Sequence, residues 1–163
     1  MVQKTSSSPS TAVHANYGTV LIIEARFYDD ISDELVAGAI AELDAHGVAY
    51  KRIAVPGALE IPQALAAAAP LFDDDVYAGA IALGCVIRGD TTHYETVCEN
   101  ANHWLMDVAI NSMIPVGNAI LTVETHEQAM ERAKGGRDGK GGDAARACLA
   151  LIRLQHEFVG QMP

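Results

Sequence analysis

The chain has 163 residues, a length that fits one domain with a single well-buried core. Half of its residues are hydrophobic, and its formal net charge of −10 argues against general binding to nucleic acid or to an anionic membrane. No apolar run approaches the length of a membrane span. The composition still permits a small phosphorylated ligand, provided that the few cationic side chains converge on one site.

Residues 1–16 are predicted to be a flexible segment, and residues 17–163 are predicted to form the domain. The first segment is rich in Ser and Thr but lacks the apolar core of a signal peptide. Cys85, Cys98 and Cys148 are widely spaced without a Cys-x-x-Cys pair, so we expect neither a zinc site nor a disulfide framework. Reduced thiols favour a cytoplasmic location.

Short β-branched runs alternate with longer amphipathic segments along the chain. The runs predict four strands, at residues 19–25, 48–55, 77–83 and 116–122. The first helix is predicted to be capped by Asp30 or Ser32, and four more are predicted at 62–69, 94–113, 126–133 and 143–158. This alternation is typical of an α/β fold, a three-layer α/β/α sandwich in which helices cover both faces of a parallel sheet. Residues 73–75 and 134–142 are predicted to be loops.

Residues that can bind a ligand follow the first two strands. In such a sheet, ligands bind outside the carboxyl ends of the strands. Phe27 follows the first strand and offers a flat face for stacking, although an aromatic residue there more often belongs to the core. Pro-Gly-Ala-Leu-Glu at residues 56–60 follows the second strand. Its Glu60 is either a ligand for hydroxyl or N–H groups or a surface carboxylate at a helix start.

The third strand leads into Gly-Asp-Thr-Thr-His at residues 89–93. Glycine lets the backbone approach a ligand, and unpaired N–H groups at a helix start can hold an anion. His93 is then placed to transfer protons, although a lone histidine in such a turn is more often a capping or packing residue. Arg132 and Lys140 flank a glycine-rich loop that lacks the P-loop pattern, and they are either ligands or solvated charges.

Several motifs occur together and in order. They are Ala-Arg-Phe at residues 25–27, Val-Pro-Gly-Ala-Leu-Glu-Ile-Pro at 55–62, Ala-Leu-Gly-Cys-Val-Ile-Arg-Gly-Asp-Thr-Thr-His-Tyr at 82–94, Ile-Leu-Thr at 120–122, Glu-Gln-Ala-Met-Glu-Arg-Ala at 127–133 and Lys-Gly at 140–141. With these motifs and spacings, the chain resembles the lumazine synthase family from about residue 20 to residue 154.

The resemblance implies a flavodoxin-like fold with a four-stranded parallel sheet and a transferase activity in riboflavin biosynthesis. The reaction would condense 5-amino-6-(D-ribitylamino)uracil with 3,4-dihydroxy-2-butanone 4-phosphate to 6,7-dimethyl-8-ribityllumazine and release phosphate. No cofactor and no metal are implied. Family sites lie between adjacent subunits, so a homopentamer is expected, and the sequence of the loop at 135–142 favours a free pentamer over a larger capsid.

The resemblance also implies a role for each candidate residue. Phe27 would stack on the pyrimidine, His93 would transfer protons during elimination and cyclisation, and Arg132 would pair with the phosphate. The other substrate-binding residues would be Ala58, Leu59 and Glu60 on the ribityl side, Val86 and Ile87 at the ring edge, Gly89, Asp90 and Thr91 at the phosphate, Lys140 near the ribityl chain or phosphate, and Asn118 from the next subunit.

Some residues depart from those common in the family, and we expect weaker substrate binding with retained activity; they are Tyr28, Leu59, Asp90, Asn118 and Gly139. Two other interpretations stay open. A binding protein of the same fold could hold flavin or lumazine without turnover, although it would not need His93. An unrelated doubly wound domain could bind a phosphorylated metabolite, although it would not need the combination of motifs.

Overall fold

The computed structural model of the protein describes residues 16–162. Within this range the strands are β1 (Thr19–Ala25), β2 (Ala49–Val55), β3 (Gly79–Ile87) and β4 (Val116–Val123). The α-helices are α1 (Asp29–Ala45), α2 (Glu60–Asp73), α3 (His93–Asn111), α4 (His126–Ala133) and α5 (Lys140–Gly160), with a 3₁₀ turn at Gly136–Asp138. The flexible segment predicted at the start of the chain lies, apart from Asn16, outside the described residues. None of the helices in the described range is both long enough and apolar enough to span a membrane.

The four strands form one parallel sheet in the order β2-β1-β3-β4. From β1 the chain first moves outward to β2 and then returns past β1 to β3 and β4. The winding direction therefore reverses between β1 and β3, which is where open α/β sheets leave a crevice for ligands at the carboxyl ends. This order and the covering helices confirm the predicted flavodoxin-like α/β fold.

Alternate residues of the strands contact opposite helix layers. Val20 and Ile22 pack in a core cluster with α1, α4 and α5, whereas Leu21 and Ile23 pack in a second cluster with α2 and α3. Successive side chains of a strand point to opposite faces, so a continuous apolar run supplies both cores. Each buried Leu or Ile side chain stabilises the fold by about 1.5–3 kcal/mol relative to exposure. The result is the predicted three-layer sandwich.

The predicted bounds are confirmed for β1 and α4 and differ elsewhere by one to several residues. β3 extends to Ile87 because its pairing with β4 continues through Cys85, Val86 and Ile87. The helix α2 is longer at both ends than the predicted range of residues 62–69. It continues past Pro70, which removes one N–H donor, and Phe72 in its last turn packs against the core.

The predicted cap of α1 is wrong. The helix begins at Asp29, and neither Asp30 nor Ser32 is its N-cap, a position held by Tyr28. Oγ of Ser32 instead donates to the carbonyl oxygen of Ala25 at 2.9 Å, and this bond joins α1 to the end of β1. The side chain of Asp30 accepts from the N–H of Ile31 within the first turn.

The helix α5 begins three residues before its predicted start. A Cβ atom on Gly141 would lie 1.9 Å from the carbonyl oxygen of Leu35, and one on Gly142 would lie 2.1 Å from that of Arg137. The two glycines therefore allow the start of α5 to pack closely against α1 and the 3₁₀ turn. The sequence alone predicts a loop at these positions, because glycine is selected both for close packing and for backbone freedom.

Candidate active site

A cavity of about 320 Å³ lies at the carboxyl ends of β1, β2 and β3, where the winding of the sheet reverses. Seven of its lining residues are predicted site residues: Phe27, Ala58, Leu59, Glu60, Val86, Ile87 and His93. Five others complete its wall: Tyr28, Pro56, Gly57, Cys85 and Val97. The volume is that of a small-molecule site, and the wall is mostly apolar.

Arg26 fixes the loop that carries Phe27. Its guanidinium contacts Asp29 at 3.0 Å, Asp33 at 2.6 Å and the buried Glu24 at 3.3 Å. Glu24 also accepts two hydrogen bonds from Arg52 on β2, at 2.9 and 3.0 Å. Phe27 itself is 71% exposed, so it is not a core residue, and its ring is accessible to a ligand.

The segment between β3 and α3 is held at its first residue and open beyond it. The guanidinium of Arg88 pairs with Glu95 and Glu124 and lies 4.3 Å from the centre of the Tyr94 ring. Its backbone N–H donates to the carbonyl oxygen of Val123 at 2.9 Å. The predicted phosphate-binding residues Gly89, Asp90 and Thr91 and the histidine that follows are exposed. Two carboxylates balance the charge of Arg88. The open segment therefore offers backbone N–H and hydroxyl groups to a ligand, and not the charge of Arg88.

Cys85 is a wall residue of the cavity and not a nucleophile. Burial raises the pKa of its thiol to about 12, and the charge of Asp30 acts in the same direction. The group is therefore protonated at neutral pH, whereas a reactive cysteine needs a thiolate. Burial also raises the pKa of the neighbouring Tyr28.

The sequence contained a signal for most of the wall residues that were not predicted. Tyr28, Pro56, Gly57 and Cys85 lie within or directly beside the motifs quoted above. Val97 lies four residues after His93 on α3, and residues at this spacing share one face of a helix. A helical projection from the predicted histidine would therefore have included Val97.

Arg132 and Lys140 line a second pocket, of about 370 Å³, and are not among the residues that line the cavity. The other residues of this charged pocket are Glu131, Lys134, Asp138, Gly139 and Asp143. Arg132 donates to the carbonyl oxygen of Gln128 at 3.0 Å, and Nζ of Lys140 lies 3.1 Å from Asp143. Within the chain, these two cations are therefore separated from the predicted proton-transfer residue His93.

Asn118 lies in neither pocket. It stands on β4 opposite Ala82, and its side chain donates to Asn102 of α3 at 2.8 Å and accepts from the N–H of Ile120 at 2.9 Å. The amide of Asn118 thus connects the sheet with α3.

Among the residues from 16 to 162, no group of three or more His, Cys, Asp or Glu side chains is arranged so that it could hold a metal ion. The acidic residues 73–75 end α2 and form the turn after it, where Asp75 has a positive φ of 57°.

Residues 18–156 match the family model described as 6,7-dimethyl-8-ribityllumazine synthase. A protein of this name from Afipia carboxidovorans is 53% identical over 141 residues, which cover 85% of this chain and 86% of the relative. Another of the same name, from Azorhizobium caulinodans, is 47% identical over 157 residues, or 95% of this chain and 97% of the relative. A third, from Bartonella bacilliformis, is 52% identical over 140 residues, with 85% and 91% coverage. The matched range contains all strands of the sheet and both pockets.

Proposed function

The chain belongs to the 6,7-dimethyl-8-ribityllumazine synthase family, and we propose that its two pockets together perform the reaction of that family. The chain is a transferase of riboflavin biosynthesis. The comparisons give no support to the alternative, a binding protein without turnover. The reaction joins 5-amino-6-(D-ribitylamino)uracil to 3,4-dihydroxy-2-butanone 4-phosphate, with loss of phosphate and water. The observation that carries the proposal is that Phe27 and His93 line one cavity at the reversal point of the sheet.

The pyrimidine substrate occupies the cavity. Phe27 stacks on its ring, Val86 and Ile87 contact the ring edge, and the residues after β2 bind the ribityl chain through Ala58, Leu59 and Glu60. This assignment is supported by the exposed face of Phe27, by the apolar wall and by the single carboxylate at one side of the cavity. A planar ring needs stacking surface, whereas a polyol chain needs hydrogen-bond partners.

His93 transfers the protons. Imine formation at the ketone, loss of phosphate, ring closure and the final dehydration each move a proton to or from nitrogen, carbon or oxygen. A general acid–base group must lie within hydrogen-bond reach of these atoms. Among the cavity residues the imidazole suits this task, because Cys85 stays protonated and Glu60 is assigned to the ribityl chain.

The phosphate site is shared between adjacent subunits. Gly89, Asp90 and Thr91 of one subunit hold the phosphate with Arg132 and Lys140 of the next, and Asn118 also comes from the neighbour. The separation of the two pockets within one subunit supports this arrangement, since the open segment before α3 needs a cation that its own Arg88 does not supply. The family resemblance supports a homopentamer as the smallest active unit, and the absence of a disulfide framework among the described residues supports its location in the cytoplasm.

An apolar groove between α2 and α3 supports the assembly. It is lined mainly by Leu59, Pro62, Val108 and Trp104, and the indole of Trp104 is 51% exposed. Contiguous apolar surface of this kind marks a contact with another protein surface, here a second copy of the chain.

The activity is tested by mixing the purified protein with both substrates and following the product by absorbance and fluorescence. An enzyme-free control measures the slow spontaneous reaction. Saturable product formation above this control establishes the synthase. Tight binding of the product without acceleration would instead identify a binding protein and contradict the proposal.

The shared site is tested by mixing subunits. His93→Ala and Arg132→Ala proteins are dissociated and reassembled together, and activity is compared with each variant alone at a butanone phosphate concentration well below the KM of Arg132→Ala. If neighbouring subunits build each site, about a quarter of the interfaces in a random mixture regain both side chains, and activity returns. Activity that stays at the level of the separate variants would show that each subunit has a complete site.

A further inference from the structure

Glu42, a carboxylate on α1, is fully buried and lies at the centre of an ion-pair cluster. Its Oε2 accepts from Nε of Arg137 at 2.8 Å and from Nη1 of Arg146 at 3.0 Å. Its Oε1 lies 3.4 Å from Nδ1 of His46 on the same helix. The two arginines follow Glu42 by 95 and 104 residues. The carboxylate thus holds α1 to the 3₁₀ turn and to α5.

The cluster continues without a break to Lys140 in the charged pocket. Nη1 of Arg146 also donates to the carbonyl oxygen of Arg137 at 2.9 Å, and its Nη2 donates to Oδ1 of Asp143 at 2.6 Å. The other oxygen of Asp143 accepts from Nζ of Lys140 at 3.1 Å. Two charged groups, Arg146 and Asp143, therefore connect the buried carboxylate with the proposed substrate-binding lysine.

Close backbone packing surrounds these contacts. A Cβ atom on Gly38, one turn before Glu42 on α1, would lie 2.6 Å from the carbonyl oxygen of Gly136. The 3₁₀ turn is therefore pressed against α1, and a side chain could not be inserted between them. A shift of Arg137 or Arg146 would consequently move the start of α5, which carries Lys140.

We propose that Glu42 is a positioning residue for the phosphate side of the reaction, acting on Lys140 through Arg146 and Asp143. The inference rests on the proposed function, in which Lys140 contacts the phosphate of the butanone substrate. A lysine side chain is long and loses much rotational freedom when it is ordered. Ordering it before the substrate arrives lowers the cost of binding.

The test is steady-state kinetics of full-length Glu42→Gln, with each substrate varied in turn. The amide keeps the shape of the side chain and removes the charge that holds both arginines. The KM for the butanone phosphate is expected to rise about 5- to 30-fold, the cost of about one charge-assisted hydrogen bond. The KM for the pyrimidine and kcat are expected to stay within about two-fold. Glu34→Gln, the same change at a partly exposed position of the same helix, serves as the control and is expected to leave all three constants unchanged.

A second variant keeps the test valid if Glu42→Gln does not fold. Asp143→Asn breaks the connection at a half-exposed side chain and leaves the buried carboxylate intact. It is expected to give the same selective rise in KM. In the double variant Glu42→Gln/Lys140→Ala, the KM for the butanone phosphate is expected to equal that of Lys140→Ala alone, because Glu42 acts through Lys140.

Three results would overturn the inference in different ways. If Lys140→Ala raises the KM for the butanone phosphate while Glu42→Gln and Asp143→Asn do not, the positioning role is wrong and the proposed function stands. If Lys140→Ala changes neither KM, the proposed role of Lys140 is wrong and the inference is lost with it. A loss of kcat with both KM values affected alike would assign Glu42 a purely structural role.

Discussion

The cavity of Phe27 and His93 and the charged pocket of Arg132 and Lys140 are held in place mainly by different forces. The cavity is formed by the ends of strands whose side chains fill two apolar cores, and ion pairs of Arg26 and Arg88 hold only the loops at its edge. The charged pocket is formed by the end of α4, the 3₁₀ turn and the start of α5, and ion pairs connect this turn and α5 to α1. Apolar packing depends little on pH or salt, whereas ion pairs depend on both. The two halves of the proposed site should therefore respond differently to the same perturbation.

Each half has one buried carboxylate, and the two differ in what they connect. Glu24 bonds with Arg52 across β1 and β2, two strands that backbone pairing already holds in register. Glu42 bonds with Arg137 and Arg146, which reach it from a different part of the fold. Glu24 therefore reinforces the pairing of β1 with β2, whereas Glu42 helps to set the position of the 3₁₀ turn and α5 against α1. In the proposed reaction, the first half receives the planar ring and the second receives the phosphate.

The largest effect is expected from His93→Ala. Removal of the proton-transfer group should lower kcat by about 100-fold or more, because general acid–base catalysis contributes about 10²- to 10⁴-fold. Both KM values should change little, since the cavity wall stays intact. His156→Ala, on the exposed side of α5, is the control and should retain full activity. Equal activity of the two variants would remove His93 from the mechanism.

The next largest effect is expected from Arg132→Ala. The KM for the butanone phosphate should rise about 10- to 100-fold, because a charge-assisted hydrogen bond to the phosphate is lost. The KM for the pyrimidine should stay the same, and added salt should weaken phosphate binding less in the variant than in the wild type. A parallel rise in both KM values would contradict the assignment of Arg132 to the phosphate.

The reciprocal change is Phe27→Ala. Loss of stacking should raise the KM for the pyrimidine about 5- to 30-fold and leave that for the butanone phosphate unchanged. Because the ring is largely exposed, the free energy of unfolding should change by less than about 0.5 kcal/mol. Phe27→Tyr keeps the aromatic face and should restore binding. Destabilisation in urea unfolding, with substrate binding unaffected, would instead make Phe27 a structural residue.

The cavity could be predicted from the sequence because its residues follow strands directly. A parallel sheet brings the carboxyl ends of its strands to one edge, so residues 27, 56–60 and 84–93 had to meet there once the strands were recognised. The bounds of β1 and α4 were also predictable, since β-branched residues and a clear amphipathic pattern define them. Local patterns were enough for the cavity and for the bounds of these two elements.

The charged pocket could not be predicted in the same way. Its geometry depends on contacts between Glu42 and residues about a hundred positions later, and no local pattern records such contacts. The glycines at 141 and 142 resemble those of a loop, although they are selected by close approach to other backbone. The family resemblance implies that Arg132 pairs with the phosphate, but the position of its side chain relative to His93 depends on the tertiary fold.

The smallest expected effect is a difference between variants of the two halves in how the free energy of unfolding depends on pH. Burial alone would raise the pKa of Glu42, but its hydrogen bond with Arg137 and the charges of Arg137, Arg146 and His46 together lower it. A carboxyl group whose pKa is lower in the folded than in the unfolded protein stabilises the fold at pH values above its unfolded pKa. This contribution is lost as the pH falls through the folded pKa.

Urea unfolding of wild type and Glu42→Gln at fixed protein concentration, from about pH 7 downward, measures this contribution. The wild type should be the more stable at neutral pH, and the difference should narrow below about pH 4.5, near the ordinary pKa of a glutamate. Phe27→Ala is the matched control from the other half. It removes no titratable group, so its difference from the wild type should be the same at every pH. If the difference for Glu42→Gln is equally constant, the ion pairs do not hold the charged pocket in place and the contrast between the two halves is wrong.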